Sequence, residues 1–311
     1  VLLIQELSIN KGESNMSEVV ANTTENLTTH KEVGPWKEAW HNFKKSKAAV
    51  VGAGIVAFFI ILAIFGSWIA PQGVNEQNLS ERLMAPSAKH WFGTDDFGRD
   101  IFSRVVYGAR VSLWVGFSSV IGSVIVGSIL GIVAGYYGRW VDTIISRLFD
   151  ILLAFPSILL AISIVAVLGP SLQNALIAIA IINVPNFGRL IRSKVLSIKQ
   201  EEYIMSAKAI GMNDFRILFR HILPNSMTPV IVQGTLAIAS AIIEAAGLGF
   251  LGLGAQAPTP EWGKMLSDAR VYLVNAPWTM IFPGLAIMLT VLGFNLMGDG
   301  LRDALDPKMK N

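Results

Sequence analysis

The chain of 311 residues is 52% hydrophobic and only 15% charged, with a mean hydropathy of +0.53, whereas soluble domains carry about 25% charged residues. That composition describes a membrane protein, and the formal net charge of +3 matters less than where the basic residues fall. The chain has 0 cysteines, which excludes disulfides, thiolate metal sites and cysteine nucleophiles, and its histidines, His30, His41, His90 and His221, are too widely spaced to read as a metal cluster.

The opening stretch "VLLIQELSINKGESNM" has neither the basic start nor the small-residue cleavage site of a signal peptide. Lys11-Gly12-Glu13 reads back into a purine-rich codon run ahead of Met16, so translation is expected to start at Met16, with 1–15 untranslated. Residues up to 34 are polar and expected to be disordered. Spans of about 20 apolar residues then fall at 48–70, 111–137, 144–168, 172–191, 227–253 and 277–297. Six spans put both termini on one side. Lys44, Lys45 and Lys47, the basic residues of the segment after the fourth span, and Arg302, Lys308 and Lys310 all share that side, which the positive-inside rule makes cytoplasmic. Arg82, Lys89, Arg99, Arg104 and Arg110 oppose this from a loop at 71–110 on the other side; the first helix and the longer basic loop decide the orientation.

In the second span Gly127, Gly131 and Gly135 recur every four residues, a pattern that lets helices approach closely, either within the subunit or between subunits. Pro156 and Pro185 lie inside the third and fourth spans and favour kinks there.

In the loop at 71–110, Asp95, Asp96 and Asp100 lack the spacing of an EF-hand. Gly93 and Gly98 are expected to turn the chain, and Asp100 to pair with Arg99 or Arg104 or to cap the next helix. Contact with an external protein is the functional alternative. Glu244 is the one ionisable residue in the fifth span, and such a residue faces a partner or a water-filled cavity; it is a pathway candidate or a buried hydrogen-bonding group. Asp150 is a weaker candidate, because Arg147 lies one turn back.

Between the fourth and fifth spans lies "EEYIMSAKAIGMNDFRILFRHILPN", 201–225. Tyr203, Ile204, Ala207 and Ile210 keep one helical face apolar, Gly211 is a helix stop and Asn213 an N-cap. A second short helix is expected to run to Pro224, with Phe215, Leu218, Phe219 and Ile222 on its apolar face and Asp214, Arg216 and Arg220 elsewhere. Two angled short helices form a knob that either inserts into a partner's groove or folds onto the bundle. A DNA-binding reading is disfavoured by its position between two spans.

This segment resembles the EAA loop of the membrane subunits of type I ABC importers, through Ala207, Gly211 and Leu223-Pro224. Met205-Ser206-Ala207 stands where that family often has Glu-Ala-Ala. "HWFGTDDFGRDIFSRVVYGARVSLWVG" at 90–116, "GLGFLGLG" at 247–254 and "NLMGDGLRDALDP" at 295–307 are similar to the C-type permease subunits of oligopeptide, dipeptide and nickel importers, over residues 35–307.

The resemblance implies an all-α membrane protein with the type I ABC importer fold: an N-terminal cytoplasmic helix and first span (35–70), an extracytoplasmic loop (71–110), a five-helix core (111–300) carrying the coupling loop 201–225, and a cytoplasmic tail (301–311). It implies a second homologous permease subunit, two ATPase subunits that bind ATP and magnesium, and an extracytoplasmic substrate-binding protein. This chain lacks a phosphate-binding G-x-x-x-x-G-K-[ST] loop, so no cofactor or enzymatic activity of its own is expected. An ion-coupled secondary transporter and a non-transporting scaffold are the readings from other classes; no internal repeat favours the first, and the EAA-like loop argues against the second.

Overall fold

The computed structural model describes residues 35–305. The expectations for 1–34 and for the last residues of the tail lie outside that range. Helix α1 (Pro35–Lys45) leads into α2 (Lys47–Ile69), started by the Ser46 side chain accepting from the amide of Ala49. Then come α3 (Ile101–Tyr137), α4 (Arg139–Leu153), α5 (Ser157–Leu168) and α6 (Leu172–Ile198). The short α7 (Glu202–Ala209) precedes α8 (Asp214–Phe250), α9 (Trp262–Ala269) and α10 (Trp278–Leu305). Among the described residues, α2, α3, α6, α8 and α10 are long and apolar enough to cross a membrane, and a sixth crossing exists if α4 and α5 together count as one.

The six expected spans therefore need three corrections. The third is broken: α4 and α5 meet at 93°, because Pro156 disfavours helical geometry at Phe155 and lacks the donor that would continue the ladder. Pro185, by contrast, lies inside an unbroken α6. The second span's helix starts ten residues before the expected 111, so Arg104 and Arg110 belong to α3 rather than to a loop. Finally, the helix expected to stop at Pro224 continues into the fifth span. A π-helical stretch, Leu218–Ile222, widens the turn and places Pro224 in the first turn of the resumed α-helix, where its missing N–H removes no required bond.

The centre of the bundle is the α3–α6 pair. Gly127, Gly131 and Gly135 face α6 so closely that a Cβ on Gly127 would meet the Val184 carbonyl at 2.8 Å, and one on Gly135 would meet Val195 at 2.9 Å. A Cβ on Gly131 would run into the Gly188 carbonyl. The glycine row thus packs within the subunit. Gly188 is pressed in turn by the buried ring of Phe149 from α4. Asp142 and Arg192, and Asp150 with Arg189 at 2.6 Å, tie α4 across α6 on the N-terminal side of the break at Pro156. On the other side of α3, the buried Trp262 of α9 lies against Gly108 and donates from Nε1 to the Val105 carbonyl at 3.0 Å.

A methyl group at Gly131 forces α3 and α6 apart. We expect Gly131→Ala to destabilise the purified protein by about 1–3 kcal/mol, the usual cost of overpacking. Gly122→Ala, whose Cβ would meet Ala180 at an ordinary 3.5 Å, is expected to be neutral. Thermal unfolding in one detergent compares the two, and equal melting temperatures would contradict the close-packing account.

Candidate functional site

Three groups of candidate residues lie at different levels of the bundle. At the N-terminal end of α3, Asp95 organises a compact loop: Oδ1 accepts from the amides of Phe97 (2.9 Å) and Arg99 (3.0 Å), and Oδ2 accepts from Arg99 Nε at 2.6 Å. Gly93 and Gly98 turn the chain with φ of +76° and +69°. Asp100 caps α3, its Oδ2 accepting from Ser103 N at 2.7 Å. Its other side-chain partner is His90 (Nδ1 to Oδ1, 3.0 Å), not Arg99 or Arg104 as the spacing led one to expect. His90 Nε2 lies 3.3 Å from Glu81, so this fully buried ring sits between two carboxylates. Lys89, hydrogen-bonded to Glu81, holds that carboxyl below its ordinary range. Asp96 is less well paired, 3.9 Å from Arg99. Burial, and then the charge of Asp95, raises its carboxyl above the usual carboxylate range.

At mid-bundle, Glu244 of α8 is partly exposed and accepts from Asn183 Nδ2 of α6 at 3.0 Å. Asp150 lies elsewhere, on α4, where Arg189 and, at 3.6 Å, Arg147 balance its charge. The structure does not bring the two carboxylates together.

At the C-terminal end of α3 is the segment 201–225. After α7 the amide of Met212 donates to the Ala207 carbonyl and that of Gly211 to Lys208, both at 3.0 Å. This double closure requires a left-handed residue, and Gly211 supplies it at φ +78°. Asn213 then caps α8, its side chain accepting from Phe215 N at 3.0 Å. The expected apolar face divides in two. Ile204, Ala207 and Ile222 are buried, joined by Ile217, which was not on that face, whereas Ile210, Phe215 and Phe219 are 79%, 66% and 56% exposed. The two rings lie 4.3 Å apart, with Arg216 and Arg220 exposed on the same short helical stretch. A charged knob with a bare aromatic pair results.

Sequence reasoning missed the residue that fixes this knob to the bundle. Tyr136, at the end of α3, donates its hydroxyl to Asp214, accepts from Lys199 at its carbonyl, and lies under the ammonium groups of Lys208 (4.9 Å) and Lys199 (5.4 Å). It also missed His90, whose carboxylate partners lie nine and ten residues away in the chain, and Glu261, the buried cap of α9, which accepts from the amides of Gly263 (2.7 Å) and Lys264 (2.8 Å).

Residues 127–311 match the family described as the binding-protein-dependent transport system inner membrane component. The chain belongs to that family. Residues 34–86 of the permease match the N-terminal transmembrane domain of oligopeptide transport permease C. The permease is 67% identical over 279 residues, 90% of its length and 92% of the relative's, to the dipeptide transport system permease protein DppC of Alkalihalophilus pseudofirmus. It is 49% identical to the glutathione transport system permease protein GsiD of Pectobacterium atrosepticum, over 89% of its own length and 92% of that protein's. The fold is that of a chain in the inward-facing MetNI methionine ABC transporter, with a TM-score of 0.53 at 19% identity, covering 65% of the permease and 96% of that chain.

Removing the Tyr136 hydroxyl leaves the ring in place and frees Asp214. We expect Tyr136→Phe to speed amide exchange over 202–217 about ten-fold, the equivalent of roughly 1.4 kcal/mol for a hydrogen bond to a charged group, without changing α3. Tyr137→Phe, at an exposed neighbour, serves as the control. Unchanged exchange at Tyr136→Phe would show that the knob is held by its buried isoleucines alone.

Proposed function

We propose that the permease forms one half of the membrane pathway of an ATP-driven importer of short peptides, dipeptides foremost. The observation that carries this reading is the 67% identity to a dipeptide permease along nearly the full length of both chains. Glutathione, a small tripeptide, is the second substrate to test, because the glutathione permeases are related over a similar length at lower identity. A homologous second permease completes the pathway, and an extracytoplasmic binding protein delivers the peptide. Two ATPase subunits, holding ATP and magnesium, supply the energy.

In this reading the knob at 201–225 docks into the ATPases. Phe215 and Phe219 enter an apolar cleft, Arg216 and Arg220 meet acidic groups at its rim, and Ala207, Gly211, Asn213, Asp214, Leu223 and Pro224 keep the knob in shape. Exposed aromatic pairs of this kind mark interaction sites. Asp95, Asp96, Arg99 and Asp100 shape the extracytoplasmic face toward the binding protein. Both termini lie in the cytoplasm. Glu244, with one bond to Asn183 and a partly open side, lines the pathway and attracts the peptide's ammonium group; Asp150, already balanced, is the weaker candidate.

Vesicles containing the complete complex should take up labelled dipeptide when supplied with ATP and binding protein; uptake of nickel alone would refute the peptide reading. Gly211→Val should lower uptake per ATP hydrolysed or prevent ATPase binding, since a β-branched residue is costly at positive φ. Wild-type coupling in that variant would remove the knob from the mechanism.

Glu244→Gln keeps shape and hydrogen-bonding capacity, so we expect normal complex yield with reduced uptake, most of all for peptides with a basic side chain. Normal uptake by Glu244→Gln together with loss of assembly in Glu244→Leu would make the residue structural. Because the chain has 0 cysteines, Asp96→Cys and Asn213→Cys report orientation directly. An impermeant thiol reagent outside intact cells should label the first and not the second.

A further inference from the structure

Along α8, Asn225, Pro229, Gln233, Leu236, Ser240 and Glu244 follow at three- and four-residue intervals, so they share one face, and none of them is buried. Glu244, with Asn183, occupies the mid-bundle part of this stripe. Toward the knob, the stripe opens between α6, α8 and the end of α10 into a cavity of about 730 Å³, within the size range of small-ligand sites. Lys194 of α6 and Arg302 of α10 line it. Neither makes a hydrogen bond or ion pair among the described residues. The α10 carboxylates Asp299 and Asp303 are not among its lining residues, while Gln233 and Thr228 add an amide and a hydroxyl that have no side-chain partner among the described residues. Two cations without an ion-pair partner among the described residues, beside neutral hydrogen-bonding groups, favour an anion. A lipid phosphate fits poorly, because the same stripe carries a mid-span carboxylate, which lipid-facing surfaces do not bear.

We propose that this cavity is a carboxylate-binding station on the cytoplasmic half of the pathway, where Lys194 and Arg302 receive the C-terminal carboxylate of a short peptide. The proposal rests on the peptide-importer reading and extends it. Asn183 and Lys194 are eleven residues apart on α6, or about 16 Å along its axis, whereas an extended dipeptide spans only about 7 Å. The ammonium attracted by Glu244 and the carboxylate held at the cavity are therefore engaged in succession. A free peptide moves from an anionic station to a cationic one as it travels inward.

The test uses the complete complex in inside-out vesicles, with Gln233→Cys as a reporter alkylated by an impermeant maleimide. Dialanine should slow alkylation, and dialanine amide, which lacks the carboxylate, should not. Lys194→Gln or Arg302→Gln should raise the dialanine concentration for half-protection about ten-fold, the worth of a charge-assisted hydrogen bond, while Lys194→Arg retains protection. Equal protection by the amide, or protection unaffected by losing either charge, overturns the proposal. So does alkylation governed by the anionic-lipid content of the vesicles rather than by peptide, which would assign the cavity to lipid. ATP-driven dipeptide uptake in right-side-out vesicles of the same complex separates the two levels. Intact uptake without carboxylate-dependent protection removes the station and leaves the importer reading standing, whereas absent uptake removes the importer reading itself.

Discussion

The architecture depends on the close approach of α3 to α6. In a bilayer, apolar side chains gain little by leaving lipid for protein, so helices associate through contact and polar bonds instead of through exclusion of water. The glycine row of α3 meets the backbone of α6 around Gly188 and the inner atoms of Phe187, Ile191 and Val195 beside it, which brings the two long helices into close dispersion contact. The rest of the bundle is arranged around that seam. Phe149 fills the far side of Gly188, and the Asp142–Arg192 and Asp150–Arg189 pairs then lay α4 across α6. Trp262 seats α9 on the opposite flank of α3.

Beyond the apolar core the structure changes its chemistry. The loop before α3 is held by ion pairs and by carboxylates that accept from backbone amides, with His90 between Asp100 and Glu81. Such groups cost several kcal/mol each to bury unless paired, and removing one partner strands the other, so this loop is held in one shape. The knob at the other end is less constrained. Its inner face is apolar and buried, yet its outer aromatic pair is bare, and a single tyrosine reaches it from α3. One end of the molecule is rigid in itself, and the other is left to be completed by contact.

Much of this was legible in the sequence, because hydropathy and small-residue spacing report directly on lipid exposure and backbone approach. The long spans, the glycine row and the left-handed turn at Gly211 all follow from local chemistry. Tertiary choices do not. Pro156 and Pro185 have equal intrinsic power to break a helix, and the sequence around them does not tell that the first marks a break, with α4 tied across α6, while the second lies inside an unbroken helix. The start of α3 at Ile101 was hidden by charges, of which Arg104 meets Asp95 of the loop only in space, and the continuation past Pro224 depends on a widened turn that no pattern of apolar residues announces. Of the candidate site, the Asn183 partner of Glu244, the Tyr136 clamp and the His90 bridge all join residues from different elements or turns, so periodicity along one helix could not pair them.

Helix α3 runs unbroken for 37 residues, about 55 Å at the rise of an α-helix and well beyond the hydrocarbon thickness of a bilayer. Its tightest seam is not at its middle. From Gly131 the helix extends about 7 Å toward Tyr136 but about 45 Å toward Ile101. The contact with α6 runs from Ser123, whose hydroxyl donates to the Ala180 carbonyl, to Gly135 against Val195, and so covers only the last third of the helix. Trp262, resting in the notch at Gly108 with its indole N–H on the Val105 carbonyl, takes the place of that seam on the long free end and fixes α9 to a stretch of α3 that α6 does not reach.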